Sequence, residues 1–144
     1  MKLEYLIPLI FPVFFIAIWT FVLGIIAVTG GWTRLAKHYT TRDMLTPYQG
    51  KKLRGKSARF GGTSYKRMLI FGANMQGLYL AANIIFRFSH PTLFIPWSDI
   101  TTEERDGVFM SFTTLTFSQA PKVKMTISSK LMSQLQELKT GSLL

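Results

Sequence analysis

Nine cationic side chains carry the strongest chemical signal in this chain: Arg34, Lys37, Lys51, Lys52, Arg54, Lys56, Arg59, Lys66 and Arg67. With Arg42 they set ten basic residues against one acid, Asp43, between positions 30 and 67, where nearly all of the formal charge of +10 is concentrated. Such a density of ammonium and guanidinium groups binds anions. Beside an anionic leaflet each Lys or Arg gains up to about 1 kcal/mol, within a screening length of roughly 8–10 Å. The nine residues are therefore the expected lipid-headgroup contacts. A competing reading is that this charge only sets membrane topology. Tyr39, Tyr48, Phe60 and Tyr65 interleave with the cations and would suit base stacking, but a membrane accounts for the charge without a nucleic acid, which is not an expected partner.

Catalysis finds little to build on. His38 and His90 are the two histidines, and neither has a partner at the spacing of a triad or a metal site. Glu103, Glu104 and Asp106 surround Arg105 and read as a solvated loop. Gly61-Gly62 precedes Thr63-Ser64 without the spacing of a phosphate loop. With no cysteine there is neither a disulfide framework nor a thiolate site. No catalytic residue, metal or cofactor is expected, and the protein reads as a non-enzyme.

The cations must be positioned by the elements around them. Residues 6–28, LIPLIFPVFFIAIWTFVLGIIAV, form an apolar run without a charge. At about 1.5 Å per residue such a helix crosses a bilayer core of roughly 30 Å with some tilt. Lys2 is offset by Glu4, the run is long for a signal peptide, and no good cleavage site follows, so a retained anchor is expected. Arg34, Lys37 and Arg42 lie within the flank that stays on the cytoplasmic side. The expected placement is the cell (inner) membrane, single-pass, with the N-terminus outside and the C-terminal domain cytoplasmic. Thr20 and Gly24, flanked by Ala17 and Ala27, allow close helix approach and a weak homodimer through the span.

Gly30-Gly31 ends the run. Trp32, Leu35, Ala36 and Tyr39 then follow an i, i+3, i+4, i+7 pattern. Trp32 and Tyr39 are expected interface anchors, lying among the headgroups; the alternative is a helix tail packed on the domain. Up to residue 56 the chain reads as a basic juxtamembrane helix and linker. The expected organisation is an anchor over 1–31, that basic segment over 32–56, and a β domain over 57–144.

In the last segment the apolar period becomes two. A strand over 67–73, a turn at 74–77 and a strand from Leu78 to Ala82 make a hairpin, which residues 84–88 either continue or leave for a new strand. Pro96 marks a strand end or edge. A polar strand or loop runs from Ile100 to a turn at Asp106-Gly107. Residues 108–117 form a long strand with a bulge near Thr113-Thr114. In 122–127, Val123, Met125 and Ile127 point inward. Ser129 can cap a helix with Leu131, Leu135 and Leu138 on one face, ended by Gly141.

Six or seven short strands followed by one closing helix is similar to the pleckstrin-homology-like fold. The strings Gly77-Leu78-Tyr79-Leu80, Phe86-Arg87-Phe88-Ser89-His90-Pro91 and Leu93-Phe94-Ile95-Pro96-Trp97-Ser98-Asp99-Ile100 resemble those of small bacterial single-pass membrane proteins carrying such a domain. So does the segment from Gly30-Gly31-Trp32 through Leu35-Ala36 and Tyr39. The resemblance implies one transmembrane α-helix plus a small, mainly β, α+β domain: a partly open antiparallel barrel closed by a C-terminal helix. It implies binding of headgroups, peptides or proteins, and places basic residues such as Lys56, Arg59, Lys66 and Arg67 around the first hairpin. Their spacing departs from the inositol-lipid pattern, since Met68 and Leu69 follow Arg67.

The expected function is therefore a membrane-anchored binding or scaffold module that contacts an anionic membrane surface or an unidentified membrane or cytoplasmic protein. His90, Leu93, Ile95 and Trp97 are the expected partner contacts. The alternative is an accessory subunit of a membrane complex, held mainly through its transmembrane helix.

Overall fold

The computed structural model describes residues 3–40, 48–87 and 89–141, with backbone alone for 27–30. Arg42 and the linker up to Pro47, together with Phe88 and the Ala27 side chain, lie outside the described residues. Helix α1 spans Leu3–Gly30, 28 residues and so about 42 Å long. It begins three residues before the apolar run, so Pro8 and Pro12 both lie inside it. Its stretch Leu3–Ile26 is long and apolar enough to cross a membrane.

Gly31 separates α1 from α2 (Trp32–Tyr39) in the left-handed conformation, φ 89°. A Cβ here would stand 2.8 Å from a Val123 methyl carbon, so both the backbone angle and the space require glycine. The Gly31 carbonyl then opens α2 by accepting the Leu35 N–H at 3.1 Å.

Seven strands follow: β1 (Lys52–Phe60), β2 (Thr63–Ala73), β3 (Gly77–Ala82), β4 (Leu93–Pro96), β5 (Ile100–Asp106), β6 (Ser111–Phe117) and β7 (Ala120–Ser128). They form one antiparallel sheet in the order β4-β3-β2-β1-β7-β6-β5. This sheet curls into a half-barrel, and α3 (Ser129–Thr140) packs its Leu131, Leu135 and Leu138 into it. The pleckstrin-like fold class is the one observed. Ser128, one residue before the expected cap, starts α3 by accepting the Leu131 N–H on its hydroxyl at 3.1 Å; Gly141 ends it at φ 81°.

Several local expectations move. The sheet begins at Lys52, not 57, so the last third of the expected linker is strand. Alternation is masked there because solvent-facing β1 positions carry Lys and Arg and few inward positions are large. Residues Ile84–Phe86 form a 3-10 turn, not a strand. Strand β6 starts only at Ser111, and the register shift lies between Thr116 and Phe117, not at Thr113-Thr114. Pro96 does end the edge strand β4, where its missing N–H costs no ladder bond.

The expected interface helix is a core element. Trp32 and Leu35 are fully buried and Tyr39 nearly so. Trp32 packs on Phe60, Tyr65 and His90, with ring centroids 5.5, 5.9 and 5.1 Å away. Its indole N–H donates to the Pro91 carbonyl at 2.9 Å. The Tyr39 hydroxyl donates to Asp99 Oδ2 at 3.0 Å and accepts the Gln119 N–H at 3.2 Å. These two rings therefore do not anchor in headgroups. The barrel mouth offers them packed aromatic partners as well as paired polar atoms.

Candidate anion-binding groove

Strand β1 pairs with β2 along its length, but with register shifts on both sides of Lys56. Its other neighbour, β7, pairs with it at two positions, Arg59–Thr126 and Phe60–Met125. Beyond that pair a groove of about 800 Å³ opens between residues 55–59 and 64–67 of the first hairpin, 126–128 of β7, and the start of α3. Lys56, Arg59, Lys66, Arg67 and Lys130 line it, with no Asp or Glu among the described lining residues. The one ion pair among the described residues joins Arg105 and Glu103 elsewhere, at 3.6 Å.

Two backbone features shape this wall. Gly55 takes φ 66°, and Arg67 takes φ 56°, the left-handed region that a residue with a Cβ rarely occupies. Such strain costs on the order of 1–3 kcal/mol and clusters at binding sites. It is held here by a hydrogen bond from the Arg67 N–H to the Ser57 hydroxyl at 2.8 Å. The groove also has an apolar lip, Met110 and Phe112, next to an uncovered turn in which Phe109 is 98% exposed.

The nine expected headgroup contacts separate into three places. Lys56, Arg59, Lys66 and Arg67 meet in the groove. Arg34 and Lys37 lie on α2 and, with Lys122, line a smaller depression of about 340 Å³. Lys51, Lys52 and Arg54 are exposed at the start of β1, where the Lys52 ammonium stands 5.1 Å from the Tyr79 ring centroid. Lys130 joins the groove from a helix whose apolar spacing indicates only a core face. A cation one residue past a Ser-Ser cap was the available signal, but nothing local links it to a hairpin sixty residues earlier.

The expected partner surface is largely interior. His90, Leu93 and Ile95 have no exposed area. Leu93 and Ile95 are the inward residues of β4, and His90 is pulled inside by a ring contact with Trp32 and a complete set of hydrogen bonds. Its Nδ1 lies 3.0 Å from the Ser89 hydroxyl and 3.2 Å from the Phe86 carbonyl, and its Nε2 lies 3.0 Å from the Tyr65 hydroxyl. Burial lowers the His90 pKa, against the opposing pull of the Phe86 carbonyl, and burial pushes Tyr65 up to about 12. The pair is a neutral internal brace. Trp97 is the partly exposed member of the set, and even it is engaged: its N–H donates to the Asn74 carbonyl at 2.7 Å and the Lys139 ammonium caps its ring at 4.8 Å.

Chemically, the groove can neutralise an anion through several flexible or forked donors while an apolar lip meets an adjoining chain. No protein-family model matches this chain, and neither the curated proteins nor the solved structures contain a match to it.

Proposed function

We propose that this chain is a membrane-tethered, non-catalytic binding module of the kind carried by small bacterial single-pass membrane proteins. Its pleckstrin-like domain takes an anionic lipid headgroup in the groove between β1 and β7. The N-terminus lies outside the cell membrane and the domain on the cytoplasmic side, as the basic flank after α1 favours. The observation carrying this reading is the convergence of Lys56, Arg59, Lys66, Arg67 and Lys130 on one groove with no carboxylate among its described lining residues. Tethering by α1 raises the effective concentration of headgroups at the domain, so modest intrinsic affinity suffices.

Full-length protein in neutral detergent micelles, titrated with short-chain phosphatidylglycerol or phosphatidylcholine and followed by amide chemical shifts, tests the reading. Saturable shifts at the groove are expected with the anionic lipid alone. The triple variant Lys56→Ala/Lys66→Ala/Lys130→Ala should weaken binding about 100-fold, from about 1 kcal/mol per cation. Equal response to both lipids, or an unaffected triple variant, would retire the groove as the headgroup site.

A further inference from the structure

The C-terminal half of α1 does not stand clear of the domain. Trp19, mid-way along the apolar run, packs on Phe86 with ring centroids 5.8 Å apart. One turn later Leu23 is 2% exposed, and Ile26 also packs on the core. These positions, i, i+4 and i+7, define one helix face laid against the domain. The opposite face stays apolar and uncovered: Phe21 is 70% exposed, and Val22 and Ile25 are exposed with it. That face still requires lipid. A bilayer core of about 30 Å measured from Leu3 ends near Leu23, one turn past Trp19, where the domain already flanks the helix.

What the domain presents at that depth fits this requirement. The turn Ile84–Phe86 follows β3, and beside Phe86 it leaves Ile84 73% and Ile85 57% exposed. Its backbone is paired in part: the Phe86 N–H donates to the Asn83 carbonyl, Arg87 to Ile84, and Ser89 and His90 both to Phe86. A turn paired in part suits the headgroup boundary, where water and ester carbonyls can accept the remaining N–H groups, and not the centre of the hydrocarbon. Arg87 comes next and is exposed; its Nε donates to the Ala82 carbonyl at 3.4 Å, and the rest of its guanidinium can serve phosphates at the same boundary. The contacts of Trp19, Leu23 and Ile26 hold the domain in this pose against α1.

We infer that the Ile84–Phe86 turn is a second membrane contact, seated beside Trp19 at the boundary between headgroups and acyl chains. Its occupant is the bilayer itself, continuous with the lipid that surrounds α1. The inference rests on α1 spanning the membrane and is independent of the anionic groove. It makes the domain lie against the bilayer in one orientation, with the Asn74–Gln76 turn at the far end of β3.

The chain has no cysteine, so single substitutions can be labelled cleanly. Full-length Phe11→Cys, Met75→Cys and Ile85→Cys variants, each carrying an environment-sensitive fluorophore, are reconstituted in phosphatidylcholine nanodiscs with and without spin-labelled lipid. All three positions are exposed, so the labels leave the fold unaltered. Strong quenching is expected at 11, and quenching at 85 at least threefold stronger than at 75, with blue-shifted emission at 85. Quenching at 11 with position 85 as aqueous as position 75 would overturn the second contact while leaving the span intact. Equal quenching at 75 and 85 would overturn the single orientation, and no quenching at 11 would remove the span and this inference together.

Discussion

At the mouth of the barrel Trp32, Phe60, Tyr65 and His90 pack ring against ring, whereas at the seam between β1 and β7 cations of the same hairpin stand without a carboxylate nearby. Both regions are made by one pair of strands. Phe60 and Tyr65 point inward, and their neighbours Arg59 and Lys66 point outward, because successive side chains of a strand face opposite sides. The mouth is covered because the chain itself supplies the apolar face of α2, Trp32, Leu35 and Tyr39, to fill it. Among the described residues that line the groove none is acidic, and Glu103 reaches only the neighbouring depression that shares Arg59, so an anion for the groove must come from elsewhere. A closed region earns stability from packing; an open one of like charges holds a surplus that a ligand can neutralise.

Three substitutions or conditions sharpen this contrast. Trp32→Ala should have the largest effect, lowering stability by about 3–5 kcal/mol through lost burial and a remaining cavity. Thermal unfolding in detergent measures it, and the triple groove variant should unfold no earlier than the parent. If Trp32→Ala cost less than the groove variant, the division of roles between mouth and seam would be wrong.

Acid should come next. His90 is buried and neutral, with its pKa lowered from the ordinary 6.5. The unfolded chain therefore binds a proton at pH values where the folded chain does not. The stability contribution is complete above about 6.5 and is lost as pH falls toward the lowered value. Unfolding temperature should drop between pH 7.5 and 5, and His90→Gln should flatten part of that slope; a parent profile level across this range would contradict a buried neutral imidazole. At the alkaline end Tyr65, raised to about 12 from 10.0, contributes stability that is lost as pH climbs above 10.

The smallest effect belongs to Arg67→Gly. Relief of the left-handed strain, about 1–2 kcal/mol, is partly offset by the entropy of glycine, about 0.5–1 kcal/mol. A gain of up to about 1 kcal/mol in stability is expected together with up to about fivefold weaker phosphatidylglycerol binding. Lower stability in this variant would mean that the Arg67 side chain supports the fold and not the groove.

Much of the architecture was legible because it is written in period. The apolar run of α1, the β2–β3 hairpin, the inward Val123, Met125 and Ile127, and the leucine face of α3 all repeat at the spacing of their element. Strand β1 was not legible beyond its second half, since Arg54, Gly55 and Lys56 break alternation where the strand bulges. The site was half legible. Four of its cations stood out as a cluster, but Lys130 enters only when α3 folds back on the hairpin.

Composition and periodicity by themselves determined that the chain has one membrane-length helix, a small β domain and an excess of positive charge after that helix. They act locally, through helix rise, strand alternation and the cost of leaving apolar surface in water. Tertiary structure alone decided the destination of side chains that suit two environments. Trp32 and Tyr39 could have met headgroups or a core, and His90, Leu93 and Ile95 a partner or the barrel interior. The barrel offered each of them complete packing and paired polar atoms, and that balance depends on neighbours far away in the chain.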